Sequence, residues 1–156
     1  MITLAHREIS PGEGHEQGRC LLAELYRAHR GVEMPNVVLE DRGKPRFAED
    51  SLQFSITHTR NHVFVAISSK PIGIDAEELD RKIDLRLADK ILSPTEKQQF
   101  DAATDKRLAL LTFWVLKEAA GKRTGEGIRG YPNHTAFSLD DPRVTVTEGC
   151  LLAIAE

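Results

Sequence analysis

Ile72-Gly73-Ile74-Asp75-Ala76-Glu77 alternates residue by residue, with Ile72, Ile74 and Ala76 set against Gly73, Asp75 and Glu77. A period of two is that of a strand, here with one aliphatic face for a core and one face carrying both carboxylates. Residues two apart on a strand point the same way, with Cα atoms roughly 7 Å apart, so Asp75 and Glu77 can reach a single cation. Like charges on one face of an apolar strand repel unless something positive sits between them, and a hard metal ion answers that need. A solvated acidic edge is the plain alternative, since Glu78 and Asp80 follow.

Working outward, two more strands precede this one. Leu52 to His58 alternates cleanly, and His62 to Ser68 reads as a strand buried on both faces, with Arg60-Asn61 as a hairpin turn between them. Glu16 to Arg30 reads as a helix with Leu21, Leu22, Leu25 and Ala28 on one face, closed by Gly31. Val32 to Asp50, holding Pro35, Gly43 and Pro45, is expected to be mostly loop. Downstream, Asp84 to Leu92 is a short amphipathic helix candidate. Ser93-Pro94-Thr95-Glu96 starts another, with Ser93 as cap, Pro94 in the first turn and Glu96 closing a capping box, running to about Ala103. A longer helix spans Asp105 to Lys122 and ends at Thr124-Gly125-Glu126-Gly127; short strands are expected at Thr135–Leu139, Arg143–Thr147 and Cys150–Ala155. The order β-β-β, α-α, β-β-β predicts one α+β domain over residues 1–156, a mainly antiparallel sheet packed on a long buried helix.

That long helix carries a second anomaly. With Leu111 at zero and about 100° per residue, Trp114 falls near 300°, Glu118 near 340°, Lys122 near 20° and Val115 near 40°. Glu118 therefore sits between the largest apolar side chains, and Leu108, Leu110, Phe113, Leu116, Ala119 and Ala120 cover most of the remaining circumference. Lys117 is read as the solvated side. A helix apolar nearly all round is buried, and a carboxylate on it needs a partner. An i,i+4 pair with Lys122 is the structural explanation; a site shared with Asp75 and Glu77 is the functional one. Three carboxylates without a histidine or cysteine ligand set favour Mg²⁺, which keeps waters and completes its shell with substrate phosphates. Lys122, one turn beyond Glu118, is placed to contact such a phosphate, and Lys44 lies in Gly43-Lys44-Pro45, where glycine permits close backbone approach. His58 ends the apolar face Leu52, Phe54, Ile56, His58; by itself it reads more readily as a core histidine. His58 and His62 have zinc-like spacing, but on a turn rather than a helix, so zinc is discounted.

The totals describe an ordinary globular protein: 156 residues, 40% hydrophobic and 29% charged, so one domain is expected. The net charge of −3 speaks against nucleic acid as a partner. Two cysteines, Cys20 and Cys150, suggest neither a disulfide framework nor a zinc site. No apolar run approaches the roughly 18 residues that span a bilayer, and the first residues do not resemble a signal peptide, so a reducing cytoplasm is the expected location. Basic residues cluster at Arg42, Lys44 and Arg46, and at Arg81, Lys82 and Arg86.

Taken together, these pieces resemble the 4'-phosphopantetheinyl transferases, of the broad-specificity type acting on carrier domains of peptide and polyketide synthases. The resemblance rests on Gly43-Lys44-Pro45-Arg46-Phe47, Phe54-Ser55-Ile56-Thr57-His58-Thr59, the Ile72–Glu77 stretch, Leu92-Ser93-Pro94-Thr95-Glu96 and Phe113-Trp114-Val115-Leu116-Lys117-Glu118-Ala119-Ala120-Gly121-Lys122. It implies a fold of pseudo-twofold halves, with the first half shortened here; an open sheet edge would then favour a homo-oligomer or a complementing partner. It implies that Asp75, Glu77 and Glu118 hold Mg²⁺ against the pyrophosphate of coenzyme A. Lys122 and His58 would contact its phosphates beside Thr57, Lys44 would meet the 3'-phosphate end, and Arg19 would also reach coenzyme A. A serine hydroxyl of an acyl or peptidyl carrier protein would attack the β-phosphate and release 3',5'-ADP, its proton passing to Glu118, directly or through water, or to a metal-bound water. The Arg81, Lys82 and Arg86 group would face the carrier's acidic helix. Two other readings are a non-catalytic protein of the same fold binding coenzyme A or carrier, and a Mg²⁺-dependent phosphohydrolase. The family's usual Ser-His-Ser reads Thr57-His58-Thr59 here, which keeps a hydroxyl beside the histidine, and the chain after Leu139 departs from the pattern.

Overall fold

The computed structural model describes residues 1–127 and 136–156. Strand β1 (Ile2–Glu8) leads into helix α1 (Gly14–Arg30), which buries Leu21, Leu22 and Tyr26 at helical spacing. Gly31 ends α1 at φ 74°, a left-handed conformation without steric cost for glycine. A small hairpin follows, β2 (Val37–Leu39) with β3 (Pro45–Phe47), and then β4 (Gln53–His58) with β5 (His62–Ser68). β1 pairs antiparallel with the free side of β5, so the first sheet has the order β1-β5-β4.

The second half forms a three-stranded sheet of its own. β6 (Gly73–Glu78) is followed by a 3₁₀ turn (Leu85–Leu87), α2 (Ala88–Ile91), α3 (Pro94–Ala102), α4 (Lys106–Thr124), β7 (Val144–Thr147) and β8 (Cys150–Ala155). The sheet reads β6-β8-β7, antiparallel throughout, so in each three-stranded sheet the first strand lies beside the last. The capping box forms as its sequence predicts: Glu96 N donates to Ser93 Oγ (3.3 Å) and Ser93 N to Glu96 Oε1 (2.7 Å). α1 covers the outer face of the first sheet and α4 covers the second. Phe64, Ala66, Ile72, Ile74, Ala76, Cys150 and Leu152 fill the space between the sheets.

The sheets meet where β4 runs beside β6, and side-chain hydroxyls join them. Ile74 N donates to Ser55 Oγ (3.0 Å) and Ala76 N to Thr57 Oγ1 (3.2 Å), so the two strands advance in the same direction. Its other edge pairs with β8, and one face of β6 presses into α4. A Cβ on Gly73 would lie 2.0 Å from the Ala119 carbonyl oxygen and 2.3 Å from Arg123 N, so only glycine admits this approach. The carboxylates of β6 are thereby brought against the C-terminal half of α4.

Several sequence expectations need correction. There are two three-stranded sheets and a small hairpin rather than one sheet, because periodicity identifies a strand but not its partner. β1 was not foreseen, since it shows no clean alternation and is held by pairing with β5. The expected loop from Val32 to Asp50 contains β2 and β3, each of three residues, too short for a pattern to show. Asp84 to Leu92 is a 3₁₀ turn and a single helical turn instead of one helix. Of the expected strand Thr135–Leu139, Thr135 lies outside the described residues and Ala136–Leu139 form no strand. Lys117 is not on a solvated side: it is fully buried, 2.8 Å from the equally buried Glu96. Among the described residues no helix is long and apolar enough to cross a membrane.

Candidate functional site

The eight singled-out residues come from five places. Thr57 and His58 end β4, Asp75 and Glu77 lie on β6, Glu118 and Lys122 on α4, Lys44 at the β2–β3 turn and Arg19 on α1. The seam between β4 and β6 and the contact of β6 with α4 set their spacing. On α4, which is buried almost all round, Trp114, Glu118 and Lys122 form the half-open stripe.

Asp75 is the centre of this arrangement, with only 6% of its surface exposed. Its Oδ1 accepts from Lys122 Nζ (2.7 Å) and from Thr57 Oγ1 (3.3 Å), while its Oδ2 is buried without a hydrogen-bond partner among the described residues. Burial pushes the Asp75 carboxyl up, against the pull of Lys122. Burial likewise pushes Glu77 up to about 7, with Arg81 opposing and the Asp75 charge adding to the rise. Glu118 is raised by burial first and by Asp75 second, so it stands close enough to Asp75 to feel its charge.

These observations test the fit of a hard cation. An orphaned, buried carboxylate oxygen and two further desolvated carboxylates form an oxygen-only donor set with more negative charge than the site neutralises, which suits Mg²⁺. Among the described residues, however, no three His, Cys, Asp or Glu side chains converge as a metal-binding group. Lys122 holds one oxygen of Asp75, and the Arg81 guanidinium binds Glu77 Oε1.

A cavity of about 440 Å³ reaches Lys122, the partner of Asp75, and is lined also by Arg19, Arg42, Lys44 and His58 among others. It gathers four of the residues expected to meet coenzyme A. His58 is exposed at this cavity, which corrects its reading as a core histidine. It packs against the start of α1, where a Cβ on Gly14 would lie 2.3 Å from His58 Nδ1. Lys44 is tied inward, its Nζ donating to the carbonyls of Arg123 (2.6 Å) and Ile72 (3.3 Å), and burial lowers its pKa. A second cavity of about 530 Å³ shares Gly14, His15 and His58 with the first and continues to Glu77 and Arg81.

Sequence reasoning did not single out Gly14 or His15, and saw Arg42 and Arg81 only as members of basic clusters. For Arg81 a signal existed, since it follows the paired carboxylates within one turn of chain. For Gly14 the turn-like Pro11-Gly12-Glu13-Gly14 was the only hint.

Comparison with known proteins places the chain in a family. Residues 71–153 match the family model described as the 4'-phosphopantetheinyl transferase superfamily. A 4'-phosphopantetheinyl transferase, HetI, of Nostoc sp. is 36% identical over 121 residues, covering 71% of this chain and 51% of that protein. The 4'-phosphopantetheinyl transferase psf-1 of Bacillus pumilus is 30% identical over 135 residues, covering 83% of this chain and 58% of that protein. The 4'-phosphopantetheinyl transferase gsp of Aneurinibacillus migulanus is 29% identical over 119 residues, covering 70% and 49% respectively. The chain thus spans about half the length of these relatives. With more than half of its residues inside the matched model, the chain belongs to the 4'-phosphopantetheinyl transferase superfamily.

Proposed function

We propose that this chain carries out Mg²⁺-dependent transfer of the 4'-phosphopantetheine arm from coenzyme A to a serine of an acyl or peptidyl carrier protein, releasing 3',5'-ADP. The observation that carries this reading is the Asp75–Lys122 ion pair, whose lysine lines one cavity with Arg19, Lys44 and His58. Asp75, Glu77 and Glu118 would hold Mg²⁺, which supplies charge neutralisation on the diphosphate when bound. Arg19 and Lys44 bind the nucleotide end, and His58 and Lys122 orient the diphosphate. Thr57 fixes Asp75 through its hydroxyl hydrogen bond. The carrier serine Oγ forms a bond to the β-phosphorus as the bond to the bridging oxygen breaks, and that oxygen leaves with 3',5'-ADP. Glu118 takes the serine proton, a task suited to a carboxylate whose basicity burial has raised. Positioning and charge supply most of such catalysis.

The shared strand order of the two sheets supports a pseudo-twofold relation between the halves, with coenzyme A bound in the cleft between them. The carrier protein is met in the cytoplasm, and a second copy of the chain is a further partner to test.

Incubation with coenzyme A, Mg²⁺ and an apo-carrier should add one phosphopantetheine mass to the carrier. Glu118→Gln should abolish the gain while circular dichroism shows that the fold survives. No transfer to any of a panel of apo-carriers, with coenzyme A binding intact, would instead establish a non-catalytic binding protein.

A further inference from the structure

Both cations in the carboxylate cluster belong to the protein itself. Lys122 Nζ lies 2.7 Å from Asp75 Oδ1, and the Arg81 guanidinium is on Glu77 Oε1. The backbone of Arg81 is fixed. Its N donates to the Glu78 carbonyl (2.9 Å), and its carbonyl accepts from Arg107 Nη1 (3.0 Å), which also holds the Leu79 carbonyl (2.7 Å). Its head group is not fixed in this way. The side chain is 38% exposed, its Cζ lies 5.6 Å from the Trp114 ring centroid, and it borders the open cavity shared with His58 and Glu77. An anchored backbone with a solvent-facing guanidinium allows the head to leave Glu77 without disturbing the loop.

We propose that Arg81 is a functional residue of this site, and that Arg81 and Lys122 are resident counter-ions exchanged on loading. A divalent cation takes the carboxylates of Asp75 and Glu77, and the released guanidinium and ammonium take the diphosphate. The proposal rests on the metal and coenzyme A reading above. Cation alone must displace two built-in ion pairs, and diphosphate alone meets basic groups already engaged. Bound together, each ligand accepts the partners that the other displaces, so the two bind cooperatively and reciprocally. Couplings between sites are typically about 5- to 150-fold.

The test uses the whole chain and two readouts other than turnover. Free Mn²⁺ is followed by electron paramagnetic resonance with and without coenzyme A, against a protein-free control for the complex that the two form in solution. Trp114, the one tryptophan of the chain, reports guanidinium movement by its emission on adding Mg²⁺ with coenzyme A. Wild-type protein should bind Mn²⁺ at least fivefold more tightly with coenzyme A and should shift its emission. Arg81→Gln, checked for an unchanged melting profile, should bind Mn²⁺ alone several-fold more tightly, lose most of the coupling and lose the emission change. Asp75→Asn should lose Mn²⁺ binding in either background. An Arg81→Gln protein with full coupling and an intact emission change overturns the exchange while leaving the metal site standing. A wild-type protein that binds no Mn²⁺ in either condition overturns the metal-site reading itself.

Discussion

Lys117 and Glu118 are neighbours on one helix with opposite fates, and the difference lies in partners that sequence spacing does not reveal. Glu118 faces the half-open stripe of α4 with Trp114 and Lys122, as its helical angle predicts. Lys117 is fully buried with its Nζ 2.8 Å from Glu96 Oε1, an ion pair, while Glu96 accepts hydrogen bonds from Ser93 N (2.7 Å) and Phe137 N (3.2 Å). Glu96 is legible as a capping-box residue, but its second role is not, because its partner lies on a different helix. Removing one member of a buried ion pair costs about 3–5 kcal/mol, since the other charge is left uncompensated. Lys117→Met should therefore lower the urea unfolding free energy by about that amount, and Lys117→Met with Glu96→Gln should recover part of it. A single variant within about 1 kcal/mol of wild type would show that the pair is not the tie between α3 and α4.

At the scale of elements, α1 was legible from its apolar spacing and closing glycine, while its attachment was not. One polar attachment is Asp50, ahead of β4. It accepts from Arg30 through Nε (2.9 Å) and Nη2 (2.7 Å), from Tyr26 Oη (2.7 Å) and from Leu52 N (2.9 Å). The Arg30 guanidinium is the main reason that its carboxyl is held well below the usual range. A carboxyl with a depressed folded pKa contributes stability that is fully present above its unfolded value, near 3.9, and is lost as pH falls below it. Asp50→Asn should lower the melting temperature by a few degrees at pH 7, and the gap to wild type should close as pH falls from about 5 toward 2. A gap independent of pH would mean that Asp50 acts through its hydrogen-bonding shape rather than its charge.

For the molecule as a whole, the carboxylate strand and the Glu118 helix were legible because each breaks a local rule, charge on an apolar element. The seam that unites them was not, since Ser55 read as an ordinary polar position of an alternating strand and Thr57 only as a neighbour of His58 at the coenzyme A phosphates. Yet these two hydroxyls receive the outward N–H groups of Ile74 and Ala76 and so close an otherwise unpaired edge of β6. Thr57 also donates its single proton to Asp75 Oδ1, using its hydroxyl in both directions. Leaving either buried N–H unsatisfied costs about 1–3 kcal/mol. Ser55→Ala and Thr57→Val should each destabilise the protein by about that much in urea unfolding, whereas Thr57→Ser should stay near wild type. The two seam positions should differ at the site. Thr57→Val frees Asp75 from one partner and should alter Mn²⁺ affinity, while Ser55→Ala should leave it unchanged. Equal Mn²⁺ affinity in Thr57→Val, Thr57→Ser and wild type would separate the seam from the site, leaving β4 only the task of joining the two sheets.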